Sequence, residues 1–91
     1  MYDWDIEKNK LNTKIHGISF EDAVKHIFES SNIIVNEVAY NKREVRHAII
    51  GLFKEKYYTG IFTIRNNKIR IISVRRARYE EIEKAKEKGL W

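Results

Sequence analysis

Phe20, Ala23, Val24, Ile27 and Phe28 fall at i, i+3, i+4, i+7 and i+8. That spacing lays one apolar stripe along a helix, and it predicts a helix over 20–29. Ser19 stands ahead of it as an N-cap, with Asp22 three residues on. Upstream, residues 5–14 are polar around Leu11 and read as a short first helix, broken by Gly17. Beyond residue 30 the pattern changes. The β-branched run 33–38 predicts a strand, and 45–53, 57–65 and 69–74 predict three more. Residues 40–44 are a polar loop, 54–56 close one hairpin and 65–68 another, where Asn66 and Asn67 tolerate the positive φ of a tight turn. These connections are too short for parallel crossovers, so the strands form an antiparallel meander. Residues 77–88 are good helix formers with acids early and lysines late, ended by Gly89. The expectation is an α+β domain with two N-terminal helices, a four-stranded antiparallel β-meander and a C-terminal helix. Helices cover one side of the sheet, and the other face or the rim is left for a partner.

Length and composition narrow the function. A chain of 91 residues with 43% hydrophobic residues fits one domain over 1–91. No stretch of about 20 apolar residues is present to span a bilayer. The opening Met1-Tyr2-Asp3-Trp4-Asp5 carries acids where a signal peptide carries lysines, so a soluble cytoplasmic protein is expected. There is no cysteine, which removes disulfides, thiolate nucleophiles and zinc–thiolate sites. Three histidines without metal-ligand spacing point to no metal and no cofactor. The net charge of +5 is uneven: residues 1–45 hold 6 Lys/Arg against 8 Asp/Glu, and residues 46–91 hold 12 against 5. Between Arg65 and Arg78 stand six basic residues and no acid. Five of them are arginines, which fork onto phosphate, so the partner expected is a polyanion such as nucleic acid. The plainer reading is a solvated basic face.

The candidate site residues follow from this charge. Arg46 opens the second strand, Arg65 closes the third, and Arg70, Ser73 and Arg75 lie along the fourth, with Arg76 and Arg78 after them. Strand alternation puts Ser73 and Arg75 on one face and Arg70 with Val74 on the other, so one face cannot hold every arginine. The structural alternative is that Arg46 or Arg70 pairs with Glu44, Glu37 or Glu81, and that Arg75 ties the sheet to the last helix through Glu81. His16, between the first two helices and close to Lys14, is a candidate general acid or base, or else a helix-end cap. His26 and His47 have weaker cases. Tyr57, Tyr58 and Tyr79 can stack on bases, although tyrosine in a strand more often packs. No Ser-His-Asp pattern and no useful acid pair is present. An enzyme of this composition works by electrostatic stabilisation of a phosphate, and RNA cleavage by the substrate's own 2′-hydroxyl fits that limit.

Four segments, in order along the chain, resemble the BrnT family of ribonuclease toxins. Trp4-Asp5 with Lys8 and Asn12 is similar to the family's opening Trp-Asp-Pro-x-Lys and its following Asn. His16 to Ala23 resembles its Lys-His-Gly-Ile-Ser-Phe-Glu-Glu-Ala core, and Arg46 with Gly51 its Arg-x-x-x-x-Gly strand. Arg70-Ile71-Ile72-Ser73-Val74-Arg75-Arg76-Ala77, with Glu81, resembles its Arg-Ile-Ile-Ser-Ala-Arg-x-Ala and helix Glu. Ile6 stands for the usual Pro, Lys14 sits one place before the family lysine, and Arg78 replaces a frequent Thr. The resemblance implies a RelE-like fold, metal-independent endoribonuclease activity that arrests translation, and a BrnA-like ribbon-helix-helix antitoxin through which the pair reaches operator DNA. On it, Arg46, Arg75, His16 and Lys14 are the catalytic candidates, and Arg65, Arg70, Ser73, Arg76 and Arg78 the substrate-binding ones. The rival is a non-catalytic nucleic-acid- or antitoxin-binding module. A third reading is an interaction protein whose basic face meets an acidic partner.

Overall fold

The computed structural model describes residues 1–30, 33–41 and 44–89, and of 33–41 the backbone course alone. Asp5 opens the first helix, α1 (Ile6–His16), by accepting hydrogen bonds from the Glu7 and Lys8 amides at 2.8 and 3.2 Å. Gly17 ends it in the left-handed conformation, φ 74°. Ser19 caps α2 (Phe20–Ala23), its hydroxyl accepting from the Asp22 amide at 3.0 Å. The helix then widens into a π-helical turn, Val24–Phe28, where the Glu29 amide reaches back to the Val24 carbonyl. The apolar stripe located this helix, and Phe20, Ala23, Ile27 and Phe28 are all buried.

The sheet has five strands in the order β1 (Tyr2–Asp3), β5 (Lys68–Arg76), β4 (Lys56–Arg65), β3 (Glu44–Phe53) and β2 (Ile33–Asn41). The four long strands pair antiparallel, but β1 pairs parallel with β5, so the sheet is mixed and not the pure meander expected. Two-residue turns join β3 to β4 and β4 to β5. Lys54 and Glu55 take φ 50° and 68°, and Asn66 and Asn67 take 54° and 63°.

The helices do not share one face. The α2 segment packs Ile18, Phe20, Ile27 and Phe28 on Ile49, Phe53, Phe62, Ile71 and Val74. It comes close because Gly51 and Gly60 lack side chains: a Cβ on Gly60 would lie 2.7 Å from the Phe28 ring, and one on Gly51 3.0 Å from the Ile27 backbone. The last helix, α3 (Tyr79–Glu87), lies on the opposite face, where Ala85 and Ile82 meet Ala48, Ile50, Tyr57 and Ile61. One-sided cover is therefore corrected. The continuous apolar run 48–53 of β3 reflects burial on both faces. α3 lies chiefly over β2 and β3, and it also reaches Tyr57 and Ile61 of β4 and, through Glu81, Thr59 and Arg75.

The edge of β5 is closed by α1. Asn12 is buried, and its Oδ1 accepts the Val74 amide at 3.0 Å while its Nδ2 donates to the Ile18 carbonyl at 3.0 Å. One side chain thus satisfies a strand-edge donor and ties helix, loop and sheet together.

Candidate nucleic-acid interface

The arginines converge through an irregularity in β5. Ser73 pairs with Ile61 and Ile71 with Phe62, so Ile72 has no partner across the ladder. One extra residue reverses the alternation of every position beyond it. Arg70 therefore pairs with Thr63 and Arg75 with Thr59, and these threonines lie four residues apart on one face of β4. Arg46, two positions before Ala48 on β3, shares this face, as does Arg65 two positions after Thr63. The expected division of Arg70 from Arg75 is overturned: Arg46, Arg65, Arg70 and Arg75 share one side of the sheet, the side α3 covers only in part.

Each of these arginines meets a carboxylate. Arg75 forks onto Glu81 with its two terminal nitrogens, at 2.9 and 2.8 Å. The same carboxylate accepts the Thr59 hydroxyl at 2.9 Å and the Arg78 amide at 2.8 Å. Burial alone would raise the Glu81 pKa, but the hydrogen bonds from Arg75, Arg78 and Thr59 outweigh it and bring the carboxyl down to about 2. At the other end of β4, Glu44 accepts Arg65 at 2.7 Å and Arg46 at 3.3 Å. The Arg65 hydrogen bond is the main reason its pKa falls. Between them, Arg70 pairs with Asp3 of β1 at 2.6 Å, and that hydrogen bond lowers the Asp3 pKa. Of the pairings read from the sequence, Arg46 with Glu44 is present, Arg70 takes Asp3, and the Glu37 side chain lies outside the described residues.

The remaining candidates are dispersed. Arg76 pairs across from Tyr58 on the other face, its guanidinium 5.8 Å from the Tyr58 ring centre. Arg78 is the exposed N-cap of α3. His16 and Ser73 line one cleft of about 200 Å³ between α1 and β5. Lys8 lines that cleft and Lys14 does not. On a helix, residues two apart point in different directions, so Lys14 and His16 part company. Lys8 stood in the Trp-Asp-x-x-Lys segment, so the signal for it was present. Glu81 stood in the fourth segment. Glu44 stood among the carboxylates read as arginine partners, whereas Thr59 carried no sequence signal, since only strand register reveals what it meets.

A second recess of about 320 Å³ lies at the far end of β3 and β4, lined by Glu44, Val45, His47, Thr63, Ile64 and Arg65. Among the described residues no group of three or more His, Asp or Glu side chains is placed to hold a metal ion, and no helix is long and apolar enough to cross a membrane. Residues 4–81 match the family model of the ribonuclease toxin BrnT of type II toxin–antitoxin systems. No curated protein and no solved structure matches the chain.

Proposed function

The chain belongs to the BrnT family of type II toxin–antitoxin ribonuclease toxins, and on that footing we propose that it cleaves RNA without a metal ion on the arginine-bearing face of a RelE-like sheet. The observation that carries this reading is the convergence of Arg46, Arg65, Arg70 and Arg75 on one partly uncovered face. The substrate's 2′-oxygen attacks the adjacent phosphorus and the bond to the 5′-oxygen breaks, leaving a cyclic phosphate and a 5′-hydroxyl. Negative charge gathers on the non-bridging oxygens. Arg75 and Arg46 stabilise it, Arg75 with its orientation fixed by Glu81. His16, half-buried at the end of α1 and lining one cleft with Ser73, carries a proton to or from the reacting oxygens, and Lys14, on another side of α1, adds positive charge for the strand. Arg65, Arg70, Ser73, Arg76 and Arg78 hold the strand. The test is cleavage of RNA by the purified protein with EDTA present. Product ends other than cyclic phosphate and 5′-hydroxyl contradict the chemistry.

The antitoxin in this reading is BrnA-like, with a ribbon-helix-helix domain that binds operator DNA for the pair in the cytoplasm. It covers the arginine face with acidic or acceptor-rich chain, because masking and substrate binding then compete for one set of charges. A complex in which Arg46 and Arg75 stay open to solvent contradicts it.

One observation favours the second reading, a binding module without catalysis. Arg75 already spends two nitrogens on Glu81, which joins the sheet to α3. Under that reading Arg75→Ala loses stability and no cleavage chemistry, so melting temperature and cleavage measured on the same variant separate the two.

A further inference from the structure

The cleft between α1 and β5 has a lining that neither packing nor the arginine chemistry explains. Leu11 and Ile15 stand one turn apart on α1 and are 56% and 62% exposed, at positions a solvent-facing helix fills with polar residues. Neither belongs to a core cluster, yet both line the cleft. Ile72, the bulge residue without a partner in the ladder, lines it from the other side. Three aliphatic side chains from two elements thus border a recess whose polar lining includes Lys8, His16 and Ser73, with no carboxylate.

Size and position select the occupant. About 200 Å³ takes one planar heterocycle, whereas a docked helix needs an extended groove with several anchors along it. Aliphatic walls suit the faces of a base, and the Lys8 ammonium and the Ser73 hydroxyl suit its acceptor-rich edge. Ser73 pairs with Ile61 and Arg75 with Thr59, so both stand on the arginine face, two residues or about 7 Å apart. A nucleotide with its phosphate at Arg75 therefore reaches the cleft with its base.

We propose that this cleft is a nucleobase subsite that sets the sequence preference of cleavage, with Lys8, Leu11, Ile15 and Ile72 as its specificity-determining residues. The inference rests on the ribonuclease reading, and its first test does not need turnover. The wild-type protein is titrated with each of the four 3′-nucleoside monophosphates and with inorganic phosphate, and the methyl resonances of Leu11, Ile15 and Ile72 are followed. The expected result is saturable movement of these methyls with one or two of the nucleotides and none with phosphate. Methyls unmoved by all four nucleotides, or moved equally by phosphate, overturn the subsite.

The second test maps cleavage positions on a mixed-sequence RNA for the wild type and for Leu11→Ser/Ile15→Ser, whose exposed positions spare the core. The variant loses its base discrimination by about tenfold while it stays folded. An unchanged cleavage pattern overturns the proposal, and loss of antitoxin binding beside that pattern assigns the cleft to protein docking instead. If the wild type cuts no RNA, the ribonuclease reading falls, and the nucleotide titration still decides the cleft.

Discussion

The two ends of β4 hold arginine in different ways. At the Thr59 end one arginine faces one carboxylate, and Glu81 is saturated by Arg75, Thr59 and the Arg78 amide. At the Thr63 end Glu44 meets two arginines, of which Arg65 is 47% exposed and Arg46, like Arg75, 22%. The first arrangement is geometrically fixed. In the second, the two oxygens of one carboxylate are divided between two guanidiniums, at 2.7 and 3.3 Å. The ends are four residues of β4 apart, about 13 Å. On the proposed function, the ordered Arg75 acts at the reacting phosphate and the more exposed Arg65 holds the strand.

The largest expected effect tests the ordered end. Arg75→Ala lowers the single-turnover cleavage rate about a hundredfold, the loss of roughly 3 kcal/mol of transition-state stabilisation, with RNA affinity much less changed. Arg75→Lys recovers part of it, because an ammonium cannot fork onto two oxygens. Arg65→Ala at the other end shifts the balance toward affinity, and it reduces the salt dependence of RNA binding by about one unit of slope. Equal losses of rate at both ends erase the distinction.

Next in size is stability. Glu81→Gln costs on the order of 2 kcal/mol in urea unfolding, since it strips a partly buried guanidinium of its counter-ion. Glu44→Gln, in a more solvated cluster, costs less. The pH dependence separates the two ends as well. The folded Glu81 pKa of about 2 lies below its ordinary 4.5. Its contribution is therefore complete above about 4.5 and lost as the pH falls toward 2. Acid titration of wild type and Glu81→Gln shows this difference in slope, and parallel curves refute the hub role given to Glu81.

The smallest effect is a control at the far end of a hairpin. Lys54 and Glu55 occupy positive φ without being Asn or Gly. Replacing them with Asn-Gly stabilises the fold by about 1 kcal/mol and leaves cleavage untouched. A change in rate with this gain would tie activity to overall stability and weaken the functional contrast between the ends.

The sequence made some of this legible and hid the rest for definite reasons. The stripe from Phe20 to Phe28 and the Asn66-Asn67 turn gave correct elements because both are local. The strand β1 escaped because two residues carry no period. The place of α3 escaped because Ala48 and Ile50 alternate with the equally apolar Ile49, so β3 has no polar face to mark the outside. At the site, Arg46 and Arg75 stood out as basic residues inside recognisable segments. Glu44 and Glu81 were legible as possible carboxylate partners, but the part of Thr59 emerges only through register. The separation of Arg70 from Arg75 was the wrong inference from a sound rule. Alternation holds along an unbroken strand, and Arg70-Ile71-Ile72-Ser73 contains no glycine or proline to announce the break.

That break makes the gene tolerant of one deletion. Removing the single codon for Ile72 keeps the reading frame and closes the bulge, because Ile71 then stands directly before Ser73, opposite the adjacent Phe62 and Ile61. Arg70 stays opposite Thr63 and on the side of Arg75. What such a deletion takes away is the side chain at the cleft beside α1. A codon lost instead between Ser73 and Arg75 has no spare residue to absorb it and shifts the ladder.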